Sequence, residues 1–331
     1  MKRVAVIGES GFPKPAGSSI LLFDTSDPRN PEIIDRLKIH SHCSNLLGYK
    51  GKMFCTMQGR LVVYDSSDLG HIEAISQLEI YGGPQAIVSP KDELLFLADW
   101  SNGVVIIDIN KPKNPIQIGH IMNNEYGVID GELQTYGVSG IALKEEMLLV
   151  VTMDYDMRQN REALYVYDLA SVRNPKMVAK LDTSPCRGSG IAINRNYALM
   201  TGMKRELVID ISKLRDPSII SVIEDTQRFS MNPFLLNNLI YIPEIVYEPN
   251  KRLAGMRIVD FSNPVHVRTL SELLIPAGGA TNVKVIENIA YLVCQGGFAI
   301  IDVARPDKPE ILSLFRSEQG KVMESIEIIS S

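Results

Sequence analysis

The chain has 331 residues, 45 % of them apolar and 22 % charged, and a net charge of −5 from 34 basic and 39 acidic residues. That balance excludes an extended disordered chain. Without a basic excess to neutralise a run of phosphates, nucleic acid is excluded as the main expected partner.

Met1-Lys2-Arg3 is followed by only four apolar residues, Val4 to Ile7, before Gly8 and Glu9. A secretory core needs about 7–15 apolar residues, and no apolar run approaches the roughly 18 of a spanning helix. The expectation is a cytoplasmic chain with no membrane segment. Cys43, Cys55, Cys186 and Cys294 are far apart, with no zinc-type spacing, and read as reduced, buried thiols.

The predicted elements repeat. A strand over Arg3–Ile7 is followed by Ile20-Leu-Leu-Phe-Asp24, a Pro-containing turn ending at Pro31, and a further strand from Glu32. The same pattern returns at Leu61–Asp65, Val105–Asp108, Leu164–Asp168, Leu207–Asp210, Arg257–Asp260 and Ala299–Asp302. The terminal aspartates step by 41, 43, 60, 42, 50 and 42 residues. A period of about 42 with two expansions is a propeller-blade period. Each unit reads as four short strands, rich in Val, Ile and Tyr and bounded by Gly, Pro and Asn. The last unit runs through Asn282–Ile286, Ile289–Cys294, Phe298–Val303 and Glu310–Phe315. No window carries a capped helical stripe.

These units predict one all-β domain over 1–331, a seven-bladed β-propeller with four-stranded blades. The first copy lacks an innermost strand, and Met323–Ile329 has the pattern of an innermost strand with no blade after it. The C-terminal strand is therefore expected to complete the first blade and close the ring.

Strands such as Leu207-Val208-Ile209-Asp210, followed by a Ser/Asn/Pro turn, resemble the LVIVP-repeat family across nearly the whole chain. The resemblance implies a propeller fold. The family is known mainly from bacterial and archaeal cell-surface proteins, and it implies no particular chemistry. The tryptophan–aspartate dipeptide of WD40 blades is absent, Trp100 being the only tryptophan.

The seven aspartates read as turn residues rather than metal ligands: an Asp ending a strand accepts hydrogen bonds from the N–H groups of its own turn. Function is sought where the repeat is broken. Gly8–Ser19, Met153–Ala163 and Pro243–Gly255 lengthen second-to-third strand connections, and Asn123–Gly137 lengthens a link between units. In a propeller these connections share one face, so one face is elaborated.

That face carries Trp100, Tyr126, Tyr136, Tyr155, Tyr247 and Phe12 with Glu9, Asp130, Glu132, Asp154, Asp156, Glu244 and Glu248. Asp154, Glu244, Tyr136 and Arg187 are the candidate catalytic residues. The carboxylates would serve as acid or base, the tyrosine would polarise a carbonyl, and the arginine would hold an anion. Trp100, Tyr155, Arg228, Asn45, Gln85, Asn232, Asn282, Gln295 and His42 are candidate substrate contacts around the channel mouth. His40 and His42 have the spacing of two ligands on an extended segment, and a third would have to come across the mouth from Asp154 or Glu244; no metal is expected. The resulting expectation is a small-molecule-binding propeller, of lyase, cyclase or isomerase type if an enzyme, without a cofactor. The alternative is a scaffold that binds a protein or peptide on the same face, with metal-dependent chemistry a minor third reading.

Overall fold

The computed structural model describes residues 3–11, 17–69, 71–80, 84–91, 93–99, 102–121, 128–129, 132–133, 136–154, 162–318 and 321–330, with the side chains of 84–91, 128–129, 132–133, 136 and 330 outside the description. The chain divides into two compact units. One comprises Met1–Gln58, Val62–Ile75 and Gln227–Ser331, and the other Gly59–Leu61 and Ser76–Thr226.

Every ordered element among the described residues is a strand, apart from one 3-10 turn at Pro264–His266. In the first unit, Lys321–Ser330, Arg3–Gly11, Ser19–Asp24 and Glu32–Lys38 lie side by side in that order. The C-terminal strand is thus an edge strand of the first sheet, antiparallel to Arg3–Gly11 with Val6 opposite Glu327. Ala280–Ile286, Ile289–Cys294, Gly297–Asp302 and Glu310–Arg316 form a second four-stranded meander in the same unit. In the second unit, Pro84–Lys91, Leu94–Asp99, Gly103–Asp108 and Ile116–Ile121 form one meander. Tyr136–Lys144, Met147–Asp154, Ala163–Asp168 and Lys176–Asp182 form another.

The strands that end in aspartate are buried along almost their whole length, as Leu21, Leu22 and Phe23 illustrate. Their apolar residues do not alternate with polar ones because neighbours cover both faces. Strands after the Pro turns are exposed or half-buried along most of their length, with Ile33, Ile116, Met177 and Ile311 exposed. In five of these third-to-fourth ladders the register slips at the same place, two residues before the aspartate. A bulge repeated at one motif position is a built feature of the unit.

Each of the seven aspartates accepts a hydrogen bond from the backbone N–H two residues on, at 2.8–3.1 Å. This is the turn geometry expected from the sequence. The first-to-second strand turns are tight. Six of them carry a non-glycine residue at positive φ: Lys50, Glu93, Glu145, Arg195, Asn237 and Glu287.

One expectation is corrected. Pro243–Gly255 is not a loop: Leu239–Glu248 and Lys251–Asp260 pair continuously, from Leu239 opposite Asp260 to Glu248 opposite Lys251. Ile245, Val246, Leu253 and Ala254 are buried, so the ladder gains apolar contact by continuing beyond the basal unit length.

Candidate functional site

The second unit contains a cavity of about 320 Å³ lined by Asp154, Glu162, Pro185, Arg187, Met203, Lys204, Arg205, Glu224 and Thr226. Asp154 ends the strand Met147–Asp154, and Glu162 directly precedes Ala163–Asp168. Both carboxyl residues are buried, at 2 % and 4 % exposure. Pro185 and Arg187 lie just before Gly188–Asn194, Met203 to Arg205 lie within Tyr197–Asp210, and Glu224 and Thr226 lie within Ser218–Ser230.

Local hydrogen bonds hold this wall. Thr183 N–H donates to the Glu162 carbonyl at 3.1 Å, Cys186 N–H to the Thr183 carbonyl at 2.9 Å, and Met203 N–H to the Cys186 carbonyl at 3.1 Å. Gly202 packs so close to the carbonyl of Cys186 that a Cβ there would collide with backbone. Arg187 N–H donates to Glu162 Oε2 at 2.8 Å. Arg187 Nη1 lies 3.0 Å from Met203 Sδ.

Arg187 and Lys204 have φ of 51° and 68°. Both line the cavity; Lys204 stands where Tyr197–Asp210 folds back on itself, its ends tied by Ile211 N–H to the Asn196 carbonyl at 2.8 Å, whereas Arg187 is, among the described non-glycine residues, the one at positive φ outside such a reversal. Left-handed backbone at a non-glycine residue costs of order 1–3 kcal/mol, and such strain gathers at binding and catalytic sites.

Burial pushes the Glu162 carboxyl above its ordinary range, and the nearby charge of Asp154 adds to the rise. The N–H groups of Arg187 and Asp154, with the Arg187 charge, act against it. Cys186, fully buried behind the wall, has its thiol pushed up by burial and then by Glu162 and Glu206. At the rim, Arg205 Nη2 pairs with Glu224 Oε1 at 2.9 Å. The chemistry on offer is a pair of buried carboxyls beside guanidinium and ammonium groups.

Of the residues expected from sequence, Asp154 and Arg187 meet at this cavity. Glu244, Arg228 and Glu9 belong to the other unit. There Glu244 is fully buried and held from two sides. Arg228 Nη1 approaches Oε2 at 2.7 Å and Arg257 Nε approaches Oε1 at 2.8 Å, with Ser230 Oγ at 3.4 Å. Arg228 also reaches Glu272 at 2.7 Å. Glu9 is held in the same manner, with Arg36 at 3.1 Å, Lys321 at 3.0 Å and Ser19 Oγ at 3.1 Å.

His40 is exposed, whereas His42 is half-buried with Nδ1 3.8 Å from Glu324. Burial raises the Glu324 carboxyl, and His42 and Ser10 oppose the rise. Among the described residues no group of three or more His, Cys, Asp or Glu could hold a metal ion. All four cysteines are free and buried. Asn45 is buried; Asn232, Asn282 and Gln295 are half-buried. Trp100, Tyr155, Phe12, Tyr126, Asp130 and Asp156 lie outside the described residues, as do the side chains of Tyr136, Gln85 and Glu132.

Sequence reasoning missed Glu162, Glu224 and the role of Arg257. Glu162 lay inside the expanded segment Met153–Ala163, so its place was marked although its function was not. Arg257 had a plainer signal: it starts Arg257-Ile-Val-Asp260 where other copies carry Leu, Val, Tyr or Ala. A charge in a buried strand demands a partner.

No curated protein matches the chain. Solved structures similar to it share little sequence. A candidate 6-phosphogluconolactonase from Bacteroides uniformis has a TM-score of 0.71 at 9 % identity, over 99 % of both chains. AztD from Citrobacter koseri has a TM-score of 0.64 at 11 % identity, over 99 % of this chain and 98 % of that one. Sqt1 of Chaetomium thermophilum, solved bound to the N-terminus of the ribosomal protein L10, has 0.60 at 13 % identity, over 95 % and 84 %. At such identities the likeness speaks for the fold alone: all-β and propeller-like. The family model that matches is the LVIVD repeat. The chain carries LVIVD repeats at residues 88–123 and 277–314.

Proposed function

We propose that the chain is a seven-bladed β-propeller that binds a small molecule in the cavity beside Asp154, Glu162 and Arg187. Seven copies of the strand–Asp–turn motif, and an edge strand supplied to the first sheet by Lys321–Ser330, support the seven-bladed, closed reading. The single observation that carries the binding site is the enclosure of two buried carboxyls and a left-handed arginine around about 320 Å³. Its walls come from second-to-third connections and from links between units, the connection types expected on the elaborated face.

In this reading Arg187 orients the ligand, and Asp154 and Glu162 supply an acid–base pair. Neighbouring carboxyls in a dry site separate into a proton donor and a proton acceptor. Glu244, locked between Arg228 and Arg257, is framework. The chemistry open to such a pair is proton transfer without a cofactor, of lyase, cyclase or isomerase type. A thermal-shift screen against common metabolites tests the proposal. A ligand at 100 times its Kd stabilises by about 2.7 kcal/mol. The expected result is a shift with one chemical class that Arg187→Ala removes. No shift with any class would turn the assignment to the scaffold reading, with a partner pull-down as its test.

A further inference from the structure

The four cysteines are not placed alike. Cys186 and Cys294 belong to separate apolar clusters, whereas Cys43 and Cys55 share one. That cluster also holds Met53 and Met57, so four sulfur side chains, none more than 4 % exposed, are buried together in the first unit. The strand register accounts for the grouping. Cys43–Tyr49 and Lys52–Met57 are antiparallel, with Cys43 opposite Met57 and Leu46 opposite Cys55. Directly opposed residues share a face of the sheet, and so do residues two apart along a strand. Cys43, Met57, Cys55 and Met53 therefore point the same way. The Cys43 thiol is close enough to act on that of Cys55 by hydrogen bond and by charge.

The two cysteines are diagonal neighbours across the ladder, a relation that sets Cα atoms about 7–8 Å apart. A disulfide needs roughly 4.4–6.8 Å. The pair is thus too wide for a direct S–S bond without backbone movement. One atom between the sulfurs removes the mismatch, since an S–metal–S bridge spans ~4.6 Å at the ~2.3 Å of a zinc–thiolate bond. Zinc and iron–sulfur clusters each call for four ligands. Among the described residues no three His, Cys, Asp or Glu side chains gather to build such a set. Thiolates in thioether surroundings select copper(I), which two thiolates satisfy.

We propose that Cys43 and Cys55 form a two-coordinate copper(I) site, lined by Met53 and Met57 and separate from the cavity of the second unit. Binding forms two Cu–S bonds and breaks two S–H bonds. Both protons leave to solvent and the copper remains copper(I). The bound site carries one negative charge. Ser325 Oγ donates to Cys43 Sγ at 3.7 Å, and the Tyr64 hydroxyl is near enough for charge on either sulfur to act on it. Such donors favour a thiolate over a thiol. Cys43 opens its strand directly after half-buried His42, which places the pair at a strand end rather than mid-sheet.

The test is an anaerobic titration of the whole reduced chain with copper(I) against a coloured copper(I) chelator, followed by X-ray absorption at the copper edge. The expected result is one equivalent taken from the chelator, with two sulfur neighbours. The double change Cys186→Ala with Cys294→Ala should keep that equivalent. Cys43→Ser and Cys55→Ser should each lose it, with a far-UV spectrum and melting curve to check folding. Should either serine variant fail to fold, the double variant still locates the site by elimination. Failure of the unaltered chain to compete for copper(I) overturns the proposal. So do nitrogen or oxygen neighbours at the metal, loss of binding in the folded double variant, or its survival in a folded serine variant.

Discussion

The backbone N–H of Arg187 meets Oε2 of Glu162 at 2.8 Å, so the chain segment that carries the cationic side chain also solvates the buried acid beside it. The two functions are tied to one conformation, the left-handed turn at Arg187. Moving the arginine would strip the carboxyl of a donor.

Glu162 gives a pH-dependent prediction. Its carboxyl is raised above the ordinary 4.5, chiefly by burial. The folded state therefore holds the proton more tightly than the unfolded chain. That contribution to stability is complete below the ordinary value and is lost as pH rises through the folded-state value. Gln resembles the protonated acid and does not titrate. Melting temperatures of Glu162→Gln and of the unaltered protein should agree near about pH 4, and the variant should gain relative to the parent by about pH 8. A constant difference across that range would contradict the shift.

The ion cluster at Glu244 predicts a large loss on simple neutralisation. Glu244→Gln removes the buried charge that Arg257, only 6 % exposed, and Arg228 both bind. Breaking a buried pair from one side costs about 3–5 kcal/mol, whereas replacing both partners by apolar residues is often neutral. Chemical denaturation should show that loss for Glu244→Gln and recover most of it in the double change Glu244→Leu with Arg257→Met. Independent, additive losses would show that the two residues are not coupled.

The repeat was legible in sequence because it is written in local chemistry: an apolar run, an aspartate, and the N–H two residues on. The tight turns at Lys50, Asn237 and Glu287 are equally local, since a two-residue reversal needs little beyond its own backbone. What escaped was non-local. Glu244 reads as a loop acid until the ladder of Leu239–Glu248 with Lys251–Asp260 places Arg257 against it. Asp154 and Arg187 were both singled out, but that they share a cavity depends on how two neighbouring meanders pack, which no spacing encodes. Glu162 and Glu224 joined them by position in space alone.

The turn at Asp65 gives an acid-side prediction. Ser67 Oγ donates at 2.6 Å and Ser67 N–H at 3.1 Å, and together they lower the carboxyl from 3.8 to about 2. Lys52 contributes less. Stability from this group is present above the ordinary value and lost as pH falls toward about 2. Because the hydroxyl is the largest cause, Ser67→Ala should return the carboxyl most of the way to its ordinary value while the N–H bond keeps a remainder. Carbon-detected NMR titration of the Asp65 carboxyl measures this directly. An unchanged titration midpoint would assign the depression to Lys52 instead.

Deleting residues 323–331 tests whether the last strand is integral to the first sheet. Met323, Ile326 and Ile328 are buried with Ala5, Ile7, Leu21 and Phe23, and with Tyr291, Val293, Phe298 and Ile300 from the preceding meander. Phe23 and Phe298 stack edge to face there, at 4.8 Å between ring centres. Three buried apolar side chains contribute roughly 4–9 kcal/mol together, against a total stability of about 5–15 kcal/mol for a typical domain. The deletion also bares the ladder edge of Arg3–Gly11, a template for aggregation. The shortened chain should lose its cooperative melt or become insoluble, and a synthetic 321–331 peptide should restore the transition in a concentration-dependent way. A truncated chain melting within a few degrees of the parent would mean that the first sheet stands without its C-terminal strand, and the closed seven-bladed reading would lose its main support.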